Sequence, residues 1–154
     1  MATLDSDFED SLREAVLDDI QQQATASDGY IQTTVAKMDA LLAAYGRRHD
    51  YDVGPVIESR TEPAITRDRT SIRAFWGYYH PAARPMAFGT SDHTVDGDPV
   101  LTFVWEDPPQ WVTEEFEQEG DGYRVFFSSV DVSGLPAGRF VRDGLADLRR
   151  RLQR

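Results

Sequence analysis

The chain is 154 residues long, a length that fits one domain with a sizeable core, and 27 acidic against 16 basic residues give it a formal net charge of −11. It has no cysteine, which excludes disulfides and any thiolate nucleophile or metal ligand. No apolar run approaches the roughly 20 residues that cross a bilayer, and the acidic stretch from Met1 to Asp10 lacks the basic and apolar regions of a secretory signal, so no membrane partner is expected.

The first element predicted is a helix. Ser6 followed by Glu9 matches a capping box, and Asp7, Glu9 and Asp10 suit the positive end of a helix dipole. Phe8, Leu12, Val16 and Ile20 recur every four residues and form one apolar stripe, read here as a core face. Ser27-Asp-Gly29 breaks that pattern. A second helix follows, with Ile31, Val35, Met38, Leu42 and Tyr45 on its inner face and Gly46 as its expected terminator.

From Tyr51 the period shortens. Gly54-Pro55 predicts a turn, and Val56 to Thr61 a short strand that Pro63 limits. Thr70 to Tyr79 alternates as a strand should. Ile72, Ala74, Trp76 and Tyr78 share one side, and Ser71, Arg73, Phe75 and Tyr79 the other. Pro81 and Pro85 exclude a central strand over the next segment. Phe88 to Pro99 is predicted to be an extended polar loop, held by Phe88 and Val100, that reaches a partner through His93, Asp96 and Gly97, the alternative being a solvated hairpin that touches nothing. Val100 to Trp105 is apolar on both faces, the pattern of a central strand.

Glu114 to Asp121 reads equally as a short acidic helix or a surface loop. Gly122 to Val130 is a strand with Tyr123, Val125 and Phe127 inward. Pro136 opens a last helix running to about Leu152, with Phe140, Val141, Leu145, Leu148 and Leu152 on one side. Gly144 within it costs about 1 kcal/mol relative to alanine, which points to a close neighbour. Helices, then strands, then a helix, without βαβ alternation, predict an α+β fold. The expected architecture is a mostly antiparallel sheet of four to five strands with two N-terminal helices and one C-terminal helix packed against it, as one domain over residues 1–154.

The charge has a pattern of its own. Lys37 is the sole lysine, so 15 of 16 basic residues are arginine, and 18 of the acids are aspartate. That balance reads as adaptation to high salt, because at about 1 M salt the Debye length is roughly 3 Å and surface charges barely sense one another. An ordinary acidic protein is the alternative. Residues 1–28 hold eight acids and one base, residues 106–121 seven acids and no base, and residues 139–154 six arginines against two aspartates. Such segregation fits solvated faces and a helix C-terminus, or charge complementarity between neighbouring subunits.

Nothing in the chain spells out catalysis. His49, His80 and His93 lack metal-ligand spacing, although His80 and His93 could meet Asp92 or Asp96. There is no Gly-x-Ser-x-Gly elbow, phosphate loop or dinucleotide fingerprint, and Ser128-Ser129 has no evident base. Neither an enzyme nor a cofactor is expected. The basic residues concentrate in the last helix, short of the basic face that a DNA-binding domain presents.

Two segments carry a likeness to a known family. His80-Pro-Ala-Ala-Arg-Pro-Met-Ala-Phe-Gly-Thr-Ser91 precedes a polar loop and a strand, and Leu135-Pro-Ala-Gly-Arg-Phe-Val-Arg-Asp-Gly-Leu145 opens the last helix. Together they resemble the neck or tail-completion (minor tail component) proteins of HK-ninety-seven-like long-tailed viruses. Phe88, Gly89 and Thr90 fall on the family's Phe-Gly-Thr element, and Pro136, Phe140 and Arg142 on its Pro-Phe-Arg element.

The resemblance implies a non-enzymatic virion protein of the neck or tail. It would assemble with itself as a six-fold or twelve-fold ring and meet neighbouring neck, connector and tail-tube proteins. Viral DNA would pass without sequence recognition, and the salt-adapted composition would place the virus on a halophilic archaeon. The chain departs from the family where Met86-Ala87 replaces an acidic residue and where Arg69-Thr-Ser-Ile72 lacks a glycine. The competing reading is a cellular α+β module that binds a small ligand with Trp76, Trp105 and Trp111. A hydrolase using His80 or His93 is a third.

Overall fold

In the computed structural model, which describes residues 6–153, the protein is α+β, with five strands in two separate antiparallel sheets. The chain gathers into two compact units. The first holds the residues up to Gly89 and from Pro136 onward, and the second is Thr90–Leu135.

The first unit begins with α1 (Ser6–Thr25) and α2 (Tyr30–His49). The Ser6 side chain, half of the expected capping box, lies outside the described residues. The inner face of α2 is the one its spacing predicts: Ile31, Val35, Met38, Leu42 and Tyr45 are all buried. Gly46 does not end the helix. Three more residues follow, and Asp50 closes it in the left-handed region at φ 57°, its N–H donating to the Gly46 carbonyl. Gly46 is buried there because Val53 packs where its side chain would stand.

Val56 to Thr61 is not a strand. Pro55 supplies a helical φ and needs no N–H partner at a first turn, and the Asp52 carboxylate accepts from the Gly54 N–H at 3.0 Å. The result is α3 (Gly54–Glu58), with Val56 1% exposed. Only Arg60 of that segment joins a ladder, as an isolated bridge to Tyr78. β1 (Ala64–Arg67) pairs with β2 (Ile72–Phe75) around a turn in which Asp68 accepts from the Thr70 and Ser71 N–H groups, both at 2.8 Å. The strand expected over Thr70 to Tyr79 is confined to Ile72–Phe75, and its two expected faces hold except at Ser71, which is partly covered. Ile72, Ala74, Trp76 and Tyr78 are partly covered, and Arg73, Phe75 and Tyr79 are exposed.

α4 (Ala83–Phe88) follows, and α6 (Phe140–Leu152) returns to pack along α2. Phe140 is 1% exposed and meets Tyr78 edge-on at 5.4 Å. Gly144 has the close neighbour expected of it, since a β-carbon there would overlap the Met38 side chain. The stripe on α6 is only partly inward: Phe140 is buried and Leu148 half-buried, while Leu145 and Leu152 are exposed.

The second unit contains β3 (His93–Trp105), α5 (Gln110–Glu115), β4 (Gln118–Glu119) and β5 (Gly122–Val132), with sheet order β3-β5-β4. Two expectations change here. Residues 93–98 are not loop but the first half of β3, because His93 to Asp96 pair with Val132 to Ser129 before the register shifts at Asp96 to Leu101. Val100 to Trp105 is an edge strand, not a central one. Its apolar character on both sides leaves Val100, Phe103 and Val104 exposed. β5 behaves as read, with Val125 fully buried and Tyr123 and Phe127 partly covered. Glu114 to Asp121 divides between the end of α5, β4 and a turn.

Candidate functional site

Asp39 on α2 receives the Tyr78 hydroxyl at 2.6 Å and the Arg60 Nε–H at 3.1 Å. Burial first, then the Asp39 hydrogen bond and charge, push the Tyr78 phenol well above its ordinary range, so it stays protonated. The Tyr45 hydroxyl donates to the Pro136 carbonyl at 2.8 Å, tying the segment before α6 to α2. Burial, then Tyr51, raises this phenol too.

The histidines are each engaged locally. His49 stacks on Tyr51 with centroids 5.7 Å apart. The His80 ring accepts from the Ala82 N–H at 3.1 Å, and the His93 ring lies 3.1 Å from the Ser91 carbonyl oxygen. Among the described residues no three His, Asp or Glu side chains group to hold a metal ion.

Residues singled out from the sequence fall in three places. Phe88, Pro136, Phe140 and Arg142 belong to the first unit. Phe140 is an internal anchor, whereas Arg142 is exposed and pairs with Asp143 at 2.8 Å. Phe88 does not hold a loop down; it is 75% exposed at the end of α4. Gly89 then turns the chain at φ 76°, a conformation that favours glycine. Thr90 starts the second unit and ties its ends together. Its N–H donates to the Leu135 carbonyl and its hydroxyl accepts from the Leu135 N–H, both at 2.9 Å. His93, Asp96 and Gly97 lie along β3, where Asp96 is exposed opposite Ser129.

The prominent feature that sequence reasoning placed elsewhere is apolar surface. The α1 stripe is not core: Phe8, Leu12, Val16 and Ile20 are 44–55% exposed, and α1 instead buries Leu17 and Ala24. The periodicity marked a face correctly but could not say which of two faces meets α2. A groove of about 430 Å³ in the first unit is lined by Met38, Phe75, Trp76, Phe88, Val141 and Leu145. In the second unit Trp111, Phe116 and Phe103 surround Phe127 with centroids 5.8–6.1 Å apart. Phe126 and Val104 face outward on the other side of that sheet, 51% and 44% exposed.

Comparison of the chain with protein-family models, with curated proteins and with solved structures finds no match.

Proposed function

We propose that the protein is a structural assembly subunit, a ring-forming component of the neck or head-tail junction of a tailed virus, without catalysis. The observation that carries the assembly part is the exposed apolar surface. In a chain of net charge −11, ordered helices and strands present Phe8, Leu12, Phe75, Phe88, Val104 and Phe126 to solvent at 44–75%. Large exposed apolar patches on ordered elements mark interaction surfaces. The viral part rests on the Phe88-Gly-Thr90 and Pro136 to Arg142 elements. In this reading neighbouring copies and adjoining neck, connector and tail-tube proteins cover the apolar faces. The net negative charge lets DNA slide past without the phosphate contacts that produce tight binding. Electron microscopy of the purified protein in molar salt tests it: closed rings are expected, and isolated single subunits at every concentration would overturn it.

The groove around Trp76 favours a second reading, a non-catalytic module holding a small apolar ligand. Trp76 lines this groove, whereas Trp105 and Trp111 belong to the other unit. Quenching of Trp76 fluorescence by an apolar probe, lost on Trp76→Phe, would support that reading.

A further inference from the structure

The α1 stripe and the groove are both exposed apolar surfaces of opposite local charge, and we infer that α1 of one copy docks into the groove of the next. The inference rests on the self-assembly reading above and names its contact. Phe8, Leu12, Val16 and Ile20 are spaced four apart, so they form one of the inclined ridges by which helices interlock. Val141, Leu145 and Arg149 form a row of the same spacing on α6, of which Val141 and Leu145 line one wall of the groove, with Phe75 and Phe88 exposed at its mouth. Two such rows interdigitate at a crossing angle of about −50°.

Charge selects the occupant. α1 carries six acids and one base, and α6 four arginines and two aspartates. Among the described residues Arg84 at the groove and Arg149 have no ion-pair partner. At about 100° per residue, Glu9 and Asp19 share the face of the stripe. A second copy therefore brings apolar side chains flanked by carboxylates to an apolar groove that Arg84 lines, with Arg149 one helical turn beyond Leu145. Pairing α1 with its own symmetry mate would instead press acid against acid. Because the two surfaces differ, the contact is head-to-tail, the kind that closes into a ring or runs on as a filament.

Two variants test the contact by light scattering in molar salt, with circular dichroism confirming the fold. Leu12→Ser with Val16→Ser removes the stripe, and Phe75→Ser with Phe88→Ser removes the groove mouth; all four side chains are exposed, at 50–75%. Each variant alone should fall from the oligomer to the 17.4 kDa monomer. Mixed in equal amounts they should form a species of two chains and no more, since one keeps only the groove and the other only the stripe. A mixture that stays monomeric, or a groove variant that assembles like the wild type, overturns this contact and leaves self-assembly standing. A wild-type chain that is monomeric at all concentrations removes the second copy as occupant and self-assembly with it.

Discussion

Replacing Gly144 by alanine sets two effects of known sign against each other at the α2–α6 contact. Alanine stabilises a helix interior by about 1 kcal/mol relative to glycine. Here, however, its β-carbon would overlap Met38 Cγ, and Met38 is 1% exposed, enclosed with Leu42 and Phe140. Overpacking a filled core costs typically about 1–3 kcal/mol. The net expectation is destabilisation of about 1 kcal/mol, or roughly 2–4 °C in melting temperature for a chain of this size. The assay is chemical unfolding in molar salt, with Met38→Ala as the second arm of a double-mutant cycle. Met38→Ala alone should cost about 2–5 kcal/mol. In that background Gly144→Ala should turn stabilising, because the obstruction is gone and the helix preference remains. Stabilisation by Gly144→Ala in the wild-type background would refute the close packing of α6 on α2.

Asp39→Ala should destabilise by about 1–3 kcal/mol, since Tyr78 and Arg60 lose their shared acceptor in a largely covered place; chemical unfolding measures it, and a neutral change would show the cluster to be ornamental. Asp68 is held down to about 2, chiefly by the Thr70 N–H and then by the Ser71 hydroxyl. Its folded value lies below its unfolded one of about 3.9, so its contribution to the hairpin is full above that value and fades as pH falls toward 2. An NMR titration of its carboxyl should show the depressed midpoint, and one near 4 would contradict the turn geometry. Dialysis from molar salt to about 0.1 M should lower the melting temperature, because self-repulsion at a net charge of −11 is then unscreened; an unchanged value would remove the halophilic reading. His80→Ala combined with His93→Ala should leave assembly unchanged by light scattering, and a loss would give these side chains a role the proposed contact does not use.

The elements with one strong signal were legible. α2 and β5 show their inner faces through spacing alone, and Gly144 announced its neighbour because glycine inside a helix needs a reason. Elsewhere two signals competed. At Val56 the β-branched residues favoured a strand, but Pro55 and the Asp52 side chain nucleated a helix turn. At Asp92 to Asp98 polar composition spoke for a loop, yet pairing with β5 supplies the backbone partners and leaves polar side chains in solvent, where they cost nothing. The apolar runs misled in the opposite sense. Phe8 to Ile20 and Val100 to Trp105 have core periodicity but lie on a helix face and a sheet edge that the single chain leaves open. Hydrophobic spacing reports that a surface seeks cover, not whether the cover comes from the same chain. For the candidate site, Phe140 was legible as an inward residue of the last helix, whereas the pairing of Phe75 with Phe88 at a groove depends on how β2 and α4 meet and has no local signature.

Whether copies of the chain assemble is decided by the mass of the wild-type protein in molar salt as a function of concentration. A ring-forming subunit should give a defined multiple of 17.4 kDa that holds over a broad range, as a closed ring does. A mass that stays at that of one chain throughout would contradict ring formation.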